Sequence, residues 1–155
     1  MTSRLQIELK QRKPFGSLSQ EALLGIARTA ALLEHGTAEA LKPYGLTPTQ
    51  FNALRILRGA EPDGLCRNEV RDRLVARVPD ATRLLDRLTD MKLVVRAREG
   101  EDRRFVHARI TRKGLDLLGQ LDGVLAELHE RQLGHLGERK LRDLIELLAD
   151  ARATL

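Results

Sequence analysis

The sequence predicts a mainly α fold that carries one small β-hairpin. Apolar residues recur at steps of three and four in six stretches, which is typical of amphipathic helices. The step changes to two over 94–98 and again over 105–110, which is typical of paired strands. Breaks containing proline or glycine separate these stretches. A chain of 155 residues can bury a core without disulfides or a structural metal.

The first two helices have clear sequence signals. A long first helix is predicted over 18–42 from the spacing of its leucine, isoleucine and alanine residues. The second begins where Thr47 can cap a helix, Pro48 fits the first helical position and Gln50 completes a capping box. We expect this helix to continue to Leu57.

The next elements follow in the order helix, helix, hairpin. A third helix is predicted over 68–75 and a fourth from Pro79. In the fourth helix Leu85 and Leu88 face inward, and Arg83 lies on another face. Two short helices joined by a tight connection, the second exposing arginine and threonine, satisfy the requirements of a helix-turn-helix. A hairpin directly after them is typical of a wing.

The last two helices have more apolar surface than the preceding core can cover. Thr111 can cap the fifth helix, and Gly137 precedes the sixth. Their apolar positions are Leu117, Leu121, Val124 and Leu128 in the fifth helix and Leu141, Leu144, Ile145, Leu148 and Leu155 in the sixth. Packing of these helices across a two-fold axis would cover them, so we expect a homodimer.

The positive charge is concentrated in one segment. The chain has a net charge of +5, which favours an anionic partner. Residues 65–113 hold 14 Lys and Arg against 8 Asp and Glu, whereas the remainder holds 13 against 14. The helix-turn-helix and the wing therefore carry the basic character, as expected for a surface that binds double-stranded DNA.

Several classes of protein are disfavoured by what the sequence lacks. The one cysteine, Cys66, cannot form an intramolecular disulfide or a multi-thiolate zinc site. Residues 1–14 are polar, and no long apolar run follows, so we expect a cytoplasmic protein without a membrane span. No nucleophile elbow, Walker loop or dinucleotide fingerprint occurs. We therefore expect no enzyme activity and no cofactor. Metal-ligand spacing is absent among His35, His107, His129 and His135, so no metal site is expected.

Four motifs support a family assignment. They are 45–51, then 82–88 followed by 93–96, the Asp-x-Arg sequence 102–104 and the sequence 110–114, Ile-Thr-x-x-Gly, which matches the pattern Leu-Thr-x-x-Gly. In this order the chain resembles the MarR (multiple antibiotic resistance regulator) family of bacteria over roughly residues 18–152. It departs from the family at Lys92, where glycine is usual, and we expect the fourth helix to end differently there.

The resemblance implies a winged helix-turn-helix flanked by N- and C-terminal dimerisation helices. The expected divisions are an N-terminal extension over 1–17, a first dimerisation helix over 18–42, the DNA-binding domain over 46–113 and the C-terminal dimerisation helices over 114–155. The implied function is sequence-specific transcription regulation, by a ligand-responsive repressor that binds a pseudo-palindromic operator as a homodimer.

The implied DNA-binding residues lie on the fourth helix and on the wing. Thr82, Arg83 and Arg87 would contact phosphates or base edges in the major groove, unless these charges form only a solvated face. Asp80 could accept a hydrogen bond from cytosine, or it could favour the positive N-terminus of the helix.

At the wing, the family would place Arg104 in the minor groove. Asp102 would pair with a neighbouring arginine and orient the tip, where Arg103 also lies. An ordinary polar hairpin tip is the alternative for these residues.

Relatives bind small aromatic or phenolic ligands between the DNA-binding lobe and the dimerisation helices. A candidate crevice here would involve Arg28, His35, Tyr44 and Phe51. Two other functions remain open. One is a winged-helix module that binds another protein, and the other is a redox-responsive regulator that acts through Cys66.

Overall fold

Seven α-helices and three short β-strands lie within residues 2–98 and 106–155, the part of the chain that a computed structural model describes. The helices are α1 (Arg4–Glu8), α2 (Leu18–Leu41), α3 (Pro48–Arg58), α4 (Arg67–Arg73), α5 (Ala81–Asp90), α6 (Arg112–Leu133) and α7 (Gly137–Arg152). The strands are β1 (Leu65–Cys66), β2 (Val94–Arg98) and β3 (Val106–Ile110). The predicted fold class, mainly α with a small winged element, is confirmed.

The chain divides into two compact units, Met1–Gly36 and Thr37–Leu155. The first unit contains the short helix α1, which the sequence analysis did not predict. The Ser3 hydroxyl caps α1 by accepting a hydrogen bond from the Gln6 backbone N–H at 3.2 Å. The Gln6 side chain is buried and donates to the Gln11 carbonyl at 3.3 Å. A five-residue helix is too short for periodicity to reveal it, because it contains little more than one turn.

Helix α3 begins as its sequence predicts. The Thr47 hydroxyl accepts from the Gln50 N–H at 3.2 Å, and the Gln50 side chain accepts from the Thr47 N–H at 3.0 Å. This capping box satisfies two N–H groups that have no partner within the helix. The helix ends at Arg58, one residue beyond the predicted end.

The three strands form an antiparallel sheet in the order β1-β3-β2. The strands β2 and β3 confirm the predicted hairpin, and Val94 lies opposite Ile110. The strand β1 was not predicted, because two residues have no measurable period. It is preceded by Gly64, which has φ 74° and lies against the backbone of Ala108. A side chain at Gly64 would collide with that backbone, so the close approach of β1 to β3 requires glycine.

The boundaries of α4 and α5 correct two predictions. Helix α5 begins at Ala81 and not at Pro79, because the Asp80 carboxylate caps it by accepting from the Arg83 N–H at 2.9 Å. Helix α4 ends at Arg73, before the predicted end at 75. The Val75 N–H donates to the Asn52 side-chain oxygen at 2.9 Å instead of continuing the helix.

The core of the second unit joins α3, α5, the sheet and α6. On α6 the most buried positions are Leu118, Leu121, Leu125 and Leu128, whereas the predicted positions Leu117 and Val124 are half-buried. Apolar residues occupy two adjacent faces of α6, so periodicity alone did not select the inner one. Outside the core, Arg58 donates to both oxygens of Asp122 at 2.9 and 3.1 Å and links α3 to α6. These hydrogen bonds hold the pKa of Asp122 below its usual value.

Helix α7 has apolar side chains that are only partly covered, and Leu141, Leu144 and Leu148 are half-buried. No residue of α7 is buried in the described chain, and Ile145 and Leu147 are each 65% exposed. Leu155 lies beyond the helix, which ends at Arg152, so its predicted place in the last helix is wrong. Among the residues that the structure describes, no helix combines the length and apolar character needed to cross a membrane.

Candidate nucleic-acid interface

Helix α5 has one buried face and one charged face. Leu85 and Leu88 are 2% and 0% exposed, and both belong to the core cluster. The helical period places Arg83 and Arg87 on the outer side, where both are exposed. Neither guanidinium has a partner among the described residues. Two unpaired cations on an exposed helix face can contact phosphates or the acceptor atoms of guanine.

The Asp80 carboxylate is occupied by the backbone of α5. Its hydrogen bond to the Arg83 N–H satisfies one of the free donors at the helix start, and its negative charge lies at the positive end of the helix dipole. Of the two roles weighed from the sequence, this geometry supports the structural one. A contact from Asp80 to a base would require the cap to open.

Thr82 is less free than the sequence suggested. Its hydroxyl accepts from Arg67 at 3.2 Å, and its carbonyl accepts from Arg96 at 3.1 Å. Arg96 also forms an ion pair with Asp86 at 2.6 Å. The side chains of α4 and β2 therefore hold the side of α5 that faces the wing.

Arg67 and Arg96 are candidate site residues that the sequence analysis missed. A usable signal existed for Arg96, because alternation along β2 puts it on the same face as buried Val94. Together with Thr82 they line a cleft of about 390 Å³ between α4, α5 and the sheet. Cys66 also lines this cleft.

Cys66 is half-buried at the start of α4. Its backbone N–H donates to the Glu69 carboxylate at 2.8 Å. This hydrogen bond, together with one from the Cys66 thiol, holds the pKa of Glu69 below its usual value. The Glu69 carboxylate thus caps the first turn of α4.

The predicted wing-tip residues Asp102, Arg103 and Arg104 lie outside the described residues. In the sequence they fall between β2 and β3. Arg98, the last residue of β2, is exposed, and Arg109 on β3 donates to the Asp63 carbonyl at 3.2 Å.

The four candidate crevice residues occupy different environments. Tyr44 is half-buried and lines a second cavity, of about 590 Å³. Phe51 lies in the core, with the Arg55 guanidinium 5.8 Å from its ring centroid. Arg28 and His35 are exposed on α2 in the first unit. The other residues lining the cavity are Met91, Leu93, Lys113, Asp116, Leu117 and Gln120.

Helix α5 ends in the left-handed conformation that glycine usually adopts at such a position. Lys92 has φ 61°, in the left-handed region, and its N–H donates to the Thr89 carbonyl at 2.9 Å. The Lys92 carbonyl accepts from the Thr111 hydroxyl at 2.8 Å. Lysine therefore replaces the usual glycine at this position, but the backbone keeps a left-handed turn.

An exposed basic helix, packed on a second short helix and followed by an antiparallel hairpin, defines the DNA-binding winged helix-turn-helix class. A sequence profile of the MarR family matches residues 44–104. The chain is 42% identical to the MarR transcription factor from Planctomyces limnophilus, whose crystal structure it matches with a TM-score of 0.68 over 88% of this chain and 98% of that one. The chain belongs to the MarR family of transcription regulators.

Two more distant similarities agree with this assignment. The HTH-type transcriptional regulator MhqR of Bacillus subtilis is 28% identical over 107 residues, which are 68% of this chain and 71% of MhqR. The MepR–DNA complex of S. aureus shares the fold, with a TM-score of 0.77, 20% identity and coverage of 90% of this chain and 100% of MepR.

Proposed function

We propose that the protein is a ligand-responsive repressor that binds a pseudo-palindromic operator as a homodimer. The exposed arginines Arg83 and Arg87 on α5, which have no partner among the described residues, are the observation that carries this proposal. They lie in the segment 65–113, which holds all of the excess positive charge. The fold shared with MepR, which was solved bound to DNA, gives it further support.

Helix α5 would lie in the major groove. Arg83 and Arg87 would contact base edges or phosphates there, and guanine presents the two acceptors that fit a guanidinium best. Thr82 would lie beside them, with its hydroxyl oriented by Arg67. At the wing, Arg104 would enter the minor groove with Arg103 close by, and Asp102 would orient the tip.

The dimer would be formed by the helices outside the DNA-binding domain. We assign DNA binding to 46–113 and dimerisation to 18–42 and 114–155. The exposed Ile145 and Leu147 of α7 support this division, because apolar side chains left in water favour a partner surface. Two copies of α5 must then lie one turn of duplex apart, about 34–36 Å.

A ligand would act by changing the opening of the dimer. We propose that a small aromatic or phenolic compound binds in a crevice that includes Tyr44, with Phe51 in the same unit. The cavity beside Tyr44 is large enough for such a compound, at about 590 Å³. A ligand that binds one dimer geometry more tightly shifts the population toward it and lowers the affinity for the operator. No catalytic step is part of this proposal, and we propose a cytoplasmic location because the target is DNA.

Selection of bound duplexes from a random DNA pool tests the proposal directly. We expect an enriched sequence with two inverted half-sites whose centres lie about 10 base pairs apart, or a multiple of this. Addition of phenolic compounds should reduce the recovery of this sequence. A winged-helix module that binds another protein would bind DNA only weakly, and no sequence would be enriched.

Replacement of Cys66 by serine tests the redox alternative. We expect Cys66→Ser to bind the selected duplex as the wild type does, before and after peroxide treatment. A lone half-buried thiol has no second cysteine in the chain with which to form a disulfide. Electrophoretic mobility shifts with and without peroxide measure this. A peroxide response in the wild type that disappears in Cys66→Ser would establish the redox mechanism instead.

A further inference from the structure

Arg96 connects the wing to the helix proposed to contact bases. Its two terminal nitrogens donate to two different acceptors on α5, the Asp86 carboxylate at 2.6 Å and the Thr82 carbonyl at 3.1 Å. These acceptors lie four residues apart, on the same side of α5. Arg96, on the adjacent strand, is therefore hydrogen-bonded to two points of α5 that lie one helical turn apart.

The position of Arg96 in the sheet fixes the direction of these two hydrogen bonds. Arg96 lies opposite Ala108 in the β2–β3 register, two residues along from the pair Val94 and Ile110. Val94 and Ala108 are buried, so this face of the sheet is fixed by the core. The Arg96 side chain is 28% exposed and projects from the fixed face toward α5. A planar guanidinium with two bonds in fixed directions constrains rotation of the helix more than a single contact does.

The charges around Arg96 are balanced within the protein. Asp86 neutralises it, whereas Arg83 and Arg87 on the outer face of α5 have no partner in the described chain. Arg67 adds a further contact from α4, to the Thr82 hydroxyl. The side of α5 toward the wing is thus used for internal contacts, and the outer face is left for DNA.

We propose that Arg96 and Asp86 are positioning residues that set the rotation of α5 relative to the wing. Because α5 is held at both Thr82 and Asp86, Arg83 and Arg87 point into the groove while the wing reaches the adjacent one. Specificity for the operator depends on this geometry, whereas general attraction to phosphates does not. This inference rests on the proposed role of α5 in DNA binding.

The substitution Arg96→Lys separates positioning from a direct phosphate contact. Lysine keeps the positive charge, so a phosphate contact would survive. A single ammonium group cannot reproduce the two hydrogen bonds of the guanidinium in their fixed directions. We expect the ratio of affinities for the selected duplex and for a scrambled duplex to fall about tenfold, the cost of about one misplaced base contact. The slope of log affinity against log salt on the scrambled duplex should stay unchanged.

Arg98→Lys is the matched control, because Arg98 lies on the same face of the same strand and has no described contact to α5. It should leave the affinity ratio within twofold of the wild type. A second variant, Asp86→Ala, frees Arg96 to attract phosphates. It should lower the ratio mainly by strengthening binding to the scrambled duplex.

Three outcomes overturn the positioning role. An unchanged ratio in Arg96→Lys would mean that these two hydrogen bonds do not affect specificity. In Arg96→Ala, which removes the charge, an equal loss on both duplexes with a smaller salt slope would identify Arg96 as a phosphate contact. An equal loss in Arg96→Lys with a lowered melting temperature would mean a purely structural role. Arg83→Ala, measured in the same way, separates the two proposals. If Arg83→Ala leaves the affinity ratio unchanged, both proposals are overturned. If Arg83→Ala lowers the ratio and Arg96→Lys does not, the positioning role alone is overturned.

Discussion

Replacement of Gly114 by alanine is expected to lower the free energy of unfolding by about 2 kcal/mol. An added Cβ would lie 2.6 Å from the Leu93 carbonyl oxygen and 2.6 Å from Cγ1 of Ile110. Leu93 and Ile110 are buried, and the Leu93 carbonyl already accepts from the Thr111 N–H at 3.0 Å. Neither neighbour can move away easily, since one is backbone and the other belongs to the core. Overpacking of this kind costs up to about 3 kcal/mol, and the better helix propensity of alanine offsets about 1 kcal/mol.

Denaturation by urea measures this loss, and Gly119→Ala is its control. Gly119 lies in the same helix, and an added Cβ there meets no atom within 4 Å. Only the gain in helix propensity should remain, so Gly119→Ala is expected to stabilise the protein by up to about 1 kcal/mol. Equal effects of the two substitutions would show that α6 does not pack tightly on the sheet at Gly114.

Replacement of Arg83 by alanine is expected to weaken binding to the selected duplex by roughly 1–3 kcal/mol, the typical discrimination from one bidentate contact to a base. The preference for one base should relax at a symmetric pair of positions, because each subunit would lose the same contact. The stability of the fold should change little, since the Arg83 side chain is exposed and the backbone N–H at this position still donates to the Asp80 carboxylate. Competition between duplexes with single base changes measures the lost preference.

Local chemistry explains what the sequence predicted well. The capping box of Thr47 and Gln50 involves residues three apart, so their identity alone predicted the start of α3. The change of period from three or four residues to two likewise predicted β2 and β3. The sequence predicts the start of α5 at Pro79, but Asp80, the next residue, caps the helix, which therefore begins at Ala81.

The features that the sequence did not predict depend on partners distant in the chain. Arg96 acquires its role from Thr82 and Asp86, which are 14 and 10 residues away and meet it only after β2 packs beside α5. The two-residue strand β1 exists because β3 provides its hydrogen-bonding edge. On α6, both apolar faces had similar spacing, and only the packing of α3 against one of them made Leu118 and Leu125 the core positions.

The most direct test of the proposed DNA interface is a salt titration of Arg83→Ala, Arg104→Ala and Arg152→Ala on the selected and scrambled duplexes. We predict that Arg83→Ala weakens binding to the selected duplex only. Arg104→Ala should weaken both and reduce the salt slope by about one for each contacting subunit. Arg152, exposed at the end of α7, should have no effect on either. If all three variants bind both duplexes as the wild type does, the basic segment 65–113 is only a solvated surface, and the proposed DNA interface is contradicted.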